Sequence, residues 1–214
     1  MKALLTIFMI FLAVAPMEGG IASEMEYVVN IQPIVVRSDN GDTPAESAIP
    51  EALVERAYSR VPIDFILADP EYLDSTDARD GNISLDEILQ LAEQEKLVQY
   101  NDGTLYMFFV NAMEGRKGPM GMGWQNGNII FIALGDGLPP GFDGDIADMQ
   151  AFVIAHEAGH NFNLRHAIDD PQVPDDVPNI QGDGPFRDRI DPRYSLNAYQ
   201  VDIVRQSPLL HRKP

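Results

Sequence analysis

The sequence contains no cysteine, and positive charge is scarce. Its 214 residues include 15 Lys and Arg against 33 Asp and Glu, which gives a formal net charge of -18. The absence of cysteine excludes disulfides, thiolate metal ligands and a cysteine nucleophile. The acid excess argues against a nucleic-acid-binding surface, which needs clustered Lys and Arg, and against docking on anionic membranes. Since 45% of the residues are hydrophobic, the composition is that of a globular protein.

The apolar N-terminus has the layout of a secretory signal peptide. Lys2 precedes an apolar run from Ala3 to Ala15, and Gly20 and Ala22 supply the small residues of a cleavage site. A helix of that run spans about 20 Å, less than the ~30 Å hydrocarbon core of a bilayer. We therefore predict cleavage after Ala22, a secreted or periplasmic location and no stable membrane insertion of the mature chain, 23–214. An uncleaved anchor is the alternative.

The remainder of the chain mixes strand and helix patterns. Strands are predicted over Glu26–Arg37, 63–67 and 104–112, with a hairpin over 120–134 around a QNG turn. Helices are predicted over 45–60, over 85–97, from about Asp145 onwards, and near 195–206. This mixture predicts an α/β sandwich of one sheet and a few helices.

Three of the four histidines lie together in the segment HEAGHNFNLRH, at 156–166. The residues before this segment are compatible with a helix, so His156 and His160 are stacked one turn apart on one face. Two imidazoles at this spacing can bind one tetrahedral zinc ion. Glu157 is displaced by one position, where it can act as general base on a water molecule at the metal.

A third ligand, His166, requires the chain to fold back after His160. A straight helix would carry His166 too far along its axis. Asn163 lies between the two histidines, and asparagine is second only to glycine in tolerating a left-handed backbone. We predict that the helix ends near Asn163 and that Leu164 and Arg165 turn back to present His166.

This pattern resembles HExxHxxGxxH, the signature of the metzincin zinc endopeptidases, and it is most similar to reprolysin-like or related bacterial members. The matching residues are His156, Glu157, His160 and His166, with Asn163 in place of the glycine. The resemblance implies an α/β (α+β), metzincin-like zincin fold: a mixed twisted sheet, an active-site helix and a small C-terminal subdomain ending in a helix. The subdomains would cover about 23–163 and 164–214.

The same resemblance implies a function. The chain would be a secreted zinc endopeptidase acting on protein or peptide substrates, with Glu157 as the general base. The strand at 118–124, GPMGMGW, corresponds to the edge strand that pairs with extended substrates in metzincins. Its glycines permit close backbone approach.

The segment that should supply the family's methionine turn departs from the pattern. Metzincins place a methionine beneath the zinc site, whereas the last methionine here, Met149, precedes the motif. Gln181, in PNIQG at 178–182, takes that place. We expect Gln181 to hydrogen-bond locally, with a ligand imidazole as one candidate partner, or Ile180 to supply an apolar floor. The departure motivates an alternative function, a catalytically weakened zinc-bearing binding protein derived from a peptidase.

Two acidic segments leave calcium open as a second cofactor. The segment from Asp80 to Glu87 resembles the second half of an EF-hand loop, but Thr76 and Ala78 stand where acids belong. The other segment contains Asp136, Asp143 and Asp145. Helix caps are the favoured explanation for both. A calcium-dependent surface module is the third functional hypothesis, and the sequence does not define an oligomeric state.

Overall fold

The computed structural model describes residues 26–117, 120–134, 145–173, 179–182 and 196–213. The proposed signal peptide and its cleavage site at Ala22 lie outside these residues. Within the described ranges, none of the helices combines the length and the apolar character that crossing a bilayer requires.

The described residues form strands and helices in alternation. The strands are β1 Tyr27–Arg37, β2 Ile63–Leu67, β3 Glu71–Asp74, β4 Thr104–Val110, β5 Ala112–Met113, β6 Arg116–Lys117, β7 Met120–Gly123, β8 Ile129–Ala133 and β9 His211–Arg212. The α-helices are α1 Glu51–Ala57, α2 Thr76–Arg79, α3 Leu85–Gln94, α4 Ile146–Asn161 and α5 Ala198–Val204, with a 3-10 turn at Ala167–Asp169.

One mixed sheet organises these elements, in the strand order β2-β1-β4-β8-β7. Strands β2, β1, β4 and β8 are parallel to their neighbours, whereas β7 runs antiparallel to β8. Strand β3 pairs with the end of β1, and β9 pairs with its start. Strand β7 therefore ends the path of the sheet in the described part of the chain, and the predicted hairpin is confirmed.

Alternate residues of the central strands divide the core into two clusters, one on each face of the sheet. In β4, Leu105, Met107 and Phe109 join the cluster that includes residues of α1, α4 and α5. Tyr106 and Phe108 join the cluster that includes residues of α2 and α3. Because both faces are covered, the central strands are apolar at nearly every position, as parallel strands usually are.

The structure corrects some predicted boundaries. The helix predicted over 45–60 extends only from Glu51 to Ala57, with Pro50 as its N-cap. The ring of Pro50 disfavours helical backbone at Ile49, so the helix cannot begin earlier. The strand predicted over 104–112 ends at Val110, and a short hairpin of β5 and β6 follows it. Strands β3 and β9 and helix α2 were not predicted.

Helix capping explains the described parts of the two acidic segments. Ser84 caps α3 in a reciprocal capping box with Glu87, and Asp145 caps α4 in the same way with Asp148. Asp80 is bound in two hydrogen bonds by its neighbour Arg79, at 2.8 and 2.9 Å. The predicted caps at Ser84 and Asp145 are confirmed. Asp136 and Asp143 lie outside the described residues.

Candidate metal centre

Helix α4 carries the first two histidines and the glutamate between them. The helix packs against both β8 and β7 and against α1, and its residues from Met149 to Gly159 are all buried. His156 is 7% exposed and Glu157 8% exposed. The ring centroids of His156 and His160 lie 5.0 Å apart, as expected for residues one turn apart on one helical face.

A Schellman motif ends the helix and returns the chain. The amide of Leu164 donates to the carbonyl of Gly159 at 2.8 Å, and the amide of Asn163 donates to that of His160 at 2.9 Å. Asn163 has a φ of 71°, in the left-handed region. The helix ends at Asn161 and reverses at Asn163, so the predicted reversal is confirmed.

The reversal brings His166 back to the helical pair. Its ring centroid lies 4.6 Å from that of His160 and 5.2 Å from that of His156. One ring nitrogen from each of the three histidines lies within 4.8 Å of the others, and no further group of three or more His, Asp or Glu that could hold a metal is found in the part of the chain that the structure describes. The structure thus brings the three predicted ligands together.

The hydrogen bonds of the imidazoles define which nitrogen faces the cluster. The Nδ1 of His156 lies 2.8 Å from the carbonyl oxygen of Ile180, and that of His160 lies 2.9 Å from the carbonyl oxygen of Leu164. A carbonyl can only accept, so each Nδ1 must carry the proton and donate it. In both residues Nε2 is then the nitrogen that could bind a metal, and metal-ligating histidines commonly donate their other ring N–H to a carbonyl in this way.

The spacing of the nitrogens suits zinc. The Nε2 atoms of His160 and His166 are 3.0 Å apart. Two imidazoles bound to a tetrahedral zinc at 2.0–2.1 Å place their nitrogens about 3.3 Å apart. The Nδ1 of His166 lies 3.9 Å from a carboxylate oxygen of Asp169. Three imidazoles, two of them with rings fixed by hydrogen bonds, are a donor set that fits a catalytic zinc ion.

The carboxylate of Glu157 lies against two glycines of β7. A methyl group on Gly121 would lie 2.7 Å from Oε1 of Glu157, and one on Gly123 would lie 2.6 Å from its carbonyl oxygen. Any side chain at these positions would displace Glu157. The sequence predicts that a substrate backbone approaches these glycines, but the close approach that the structure shows is that of helix α4.

Tyr58 binds helix α4 through a side-chain hydrogen bond, and the sequence did not predict this contact. Its hydroxyl, fully buried, donates to the carbonyl of Ala155 at 2.6 Å. Burial raises the pKa of the Tyr58 phenol well above its ordinary value, and the charge of Glu157 raises it further. The hydroxyl therefore keeps its proton and holds the helix at the residue before His156.

The turn at 179–182 contacts helix α4 through the side chain of Gln181. The side-chain amide of Gln181 donates to the carbonyl of His156 at 2.7 Å. A methyl group on Gly159 would lie 2.9 Å from Cδ of Gln181, so this glycine makes room for the amide. Gln181 therefore does hydrogen-bond locally, but to the main chain and not to an imidazole. The imidazole of His156 is instead hydrogen-bonded to the carbonyl of Ile180, and the side chain of Ile180 is fully buried.

Comparisons with protein-family models and with curated proteins found no match. Among solved structures, the chain is similar to archaemetzincin from Methanopyrus kandleri, with a TM-score of 0.50 and 14% identity over 84% of this chain and 94% of that one. Metalloproteinase-II from Bacteroides fragilis matches 84% of this chain and 52% of its own length, with a TM-score of 0.48 and 11% identity. The archaemetzincin likeness concerns the fold, and the predicted α/β fold class, a mixed sheet with helices, is confirmed.

Proposed function

We propose that this chain is a zinc-dependent endopeptidase. The observation that carries the proposal is the convergence of His156, His160 and His166 on one point, with Glu157 on the same helix. The fold likeness to archaemetzincin supports it, as does the sequence motif. We assign the three histidines as metal ligands and Glu157 as the catalytic residue.

The chemistry divides between the metal and the glutamate. A bound zinc ion polarises the scissile carbonyl and lowers the pKa of the attacking water. The carboxylate of Glu157 accepts the proton that this water loses. The same carboxylate then delivers that proton to the nitrogen of the departing amine, so Glu157 is regenerated in its charged form. The close packing of Glu157 under β7 keeps its carboxylate in one position for both transfers.

Strand β7 supplies a surface for the substrate. It pairs with β8 on one side and has no second neighbour among the described strands. An extended peptide can add to the outer edge through main-chain hydrogen bonds. We propose a protein or peptide substrate bound in this way, and an exported enzyme that acts in the periplasm or outside the cell.

Glu157→Gln tests the role of the carboxylate, because glutamine has nearly the shape of glutamate but carries no charge. Glu157→Gln should bind one zinc per chain, as the wild type does, and should lose casein hydrolysis by at least about 1000-fold, because the amide cannot accept the proton. Glu46→Gln, a change at an exposed carboxylate outside the site, is the matched control. Hydrolysis at the wild-type rate by purified Glu157→Gln, or wild-type hydrolysis that survives a zinc chelator, would contradict the proposal.

The second candidate, a zinc-bearing binding protein, is favoured by one observation. The buried Oε1 of Gln181 has no hydrogen-bond partner within the described part of the chain, which is a cost at the floor of the site that a methionine would not have. A wild-type protein that binds stoichiometric zinc but cleaves no member of a peptide library would support this candidate. Cleavage that stops with chelator and returns with zinc would support the enzyme.

A further inference from the structure

A buried pair of amide side chains connects helix α5 to the turn at 179–182. The side-chain amide of Asn179 donates to Oε1 of Gln200 at 2.7 Å, and that of Gln200 donates back to Oδ1 of Asn179 at 3.0 Å. Asn179 is 6% and Gln200 1% exposed. Because neither group reaches water, loss of one partner leaves the other buried and unsatisfied.

The two amides also fix the segments that carry them. The Oδ1 of Asn179 accepts from the backbone amide of Gln181 at 2.9 Å, which holds the turn closed. The Oε1 of Gln200 accepts from the backbone amide of Asn197 at 3.0 Å, within the capping box of α5. The start of α5 and the turn therefore form one hydrogen-bonded unit.

This unit contacts the histidine cluster at two places. The carbonyl of Ile180 accepts from Nδ1 of His156 at 2.8 Å. The carbonyl of Gln181 accepts from the backbone amide of Ala167, next to His166, at 2.8 Å. The turn thereby sets the ring of one histidine and the main chain beside another.

We infer that Gln200 is a positioning residue for the candidate metal centre. It holds Asn179, Asn179 holds the turn, and the turn orients the imidazole of His156. The effect on zinc rests on the proposed function, because it matters only if this imidazole binds the metal. Outer hydrogen bonds of this kind change metal affinity by about 10- to 100-fold when they are lost.

The first experiment measures zinc affinity by competition with a chromogenic chelator. Gln200→Met, which keeps an unbranched side chain and good helix propensity, should bind zinc about 10- to 100-fold more weakly than the wild type. Val204→Ala, a buried change on the same helix, is the matched control. It should lower the free energy of unfolding, because Val204 belongs to the apolar core. It should leave zinc affinity within about two-fold, because Val204 carries no amide. Asn179→Ala also removes the bond to the backbone amide of Gln181 and should weaken zinc binding at least as much as Gln200→Met does. The double variant Asn179→Ala/Gln200→Met should match Asn179→Ala, since residues that act as a unit are not additive.

The second experiment uses metal-free protein and needs no zinc. The Nδ1 proton of His156 should exchange with water at least about ten-fold faster in Gln200→Met than in the wild type or in Val204→Ala, as measured by NMR. Equal zinc affinity and equal exchange in Gln200→Met and Val204→Ala would overturn the inference. If the wild type binds no zinc, the proposed function fails, and the exchange rates still decide whether Gln200 positions His156.

Discussion

Helix α4 holds His156 and Glu157 with less than a tenth of either residue exposed, whereas the side chain of His166, after the chain reversal, is 38% exposed. The helical half of the site is embedded between the sheet and the turn at 179–182. The half that follows Asn163 includes the 3-10 turn at Ala167–Asp169, where the amide of Ala167 donates to the carbonyl of Gln181 in the turn at 179–182.

The two histidines of the helical half differ in where their constraints come from. The ring of His160 is fixed by Leu164, four residues on, through the bond that the Schellman motif makes available. The ring of His156 is fixed by Ile180, which is 24 residues away in sequence. A site of this kind needs both a regular helix and a distant turn, so each half can be perturbed separately. The following three changes perturb the helical half at Gly121, the contact of Gly159 with Gln181, and the chain reversal at Asn163.

The largest effect is expected from Gly121→Ala, which perturbs only the helical half. The added methyl would lie 2.7 Å from Oε1 of Glu157 and 2.8 Å from its Cδ, so the carboxylate must move. A displacement of about 1 Å at a catalytic group costs on the order of 100-fold in rate, or about 2.7 kcal/mol in the barrier. Steady-state kinetics should show the loss in kcat, with KM and zinc affinity nearly unchanged.

Met122→Ala is the control for this prediction. Met122 is the next residue of β7 and is 45% exposed, and the alternation of a strand directs it to the opposite face. It should keep kcat within about two-fold. A wild-type kcat in Gly121→Ala would show that the position of Glu157 does not limit the reaction and would count against its assignment as the base.

The next effect in size is expected where the two halves meet, at Gly159. Gly159→Ala gains about 1 kcal/mol in helix propensity. The methyl would, however, lie 2.9 Å from Cδ of Gln181, and overpacking of a core costs about 1–3 kcal/mol. We expect a net loss of up to about 2 kcal/mol in the free energy of unfolding, measured by urea denaturation of metal-free protein.

A second substitution at the same contact makes this prediction specific. Gly159→Ala/Gln181→Ala removes the obstructing amide, together with the buried Oε1, for which the described residues supply no hydrogen-bond partner. The double variant should therefore be more stable than Gly159→Ala alone, whereas independent sites would give additive losses. Additive losses would show that Gln181 can move aside.

The features of the site that the sequence could predict are local ones. The i, i+4 histidines, the left-handed Asn163 and the caps at Ser84 and Asp145 all follow from residues within a few positions of each other. Strands β1, β2, β4 and β8 were recognisable because apolar, β-branched and aromatic residues dominate them. These features depend on local backbone geometry, for which residue type is direct evidence.

The features that escaped prediction depend on contacts between distant segments. The hydrogen-bonded pair Asn179 and Gln200 joins residues that are 21 positions apart in the sequence, and no sequence pattern predicts that these two side chains meet. The glycines of β7 had a visible signal, small residues at alternate positions, but the identity of the group facing them depends on how α4 crosses the sheet. The helix predicted over 45–60 begins only at Glu51, because Pro50 disfavours helical backbone at the residue before it.

The smallest effect is expected at Asn163, which connects the two halves. Asn163 contributes a left-handed backbone, with a φ of 71°, and an Oδ1 that accepts from the side chain of Gln125 at 3.1 Å. Asn163→Ala keeps neither advantage and should lower the free energy of unfolding by about 1 kcal/mol. Asn163→Gly keeps only the backbone and should remain within about 0.5 kcal/mol of the wild type, as should Gln125→Ala, which removes the side-chain bond alone. The free energies of unfolding are measured by urea denaturation. Equal losses in Asn163→Gly and Asn163→Ala would mean that Asn163 stabilises the site through its hydrogen bond to Gln125 and not through its left-handed backbone.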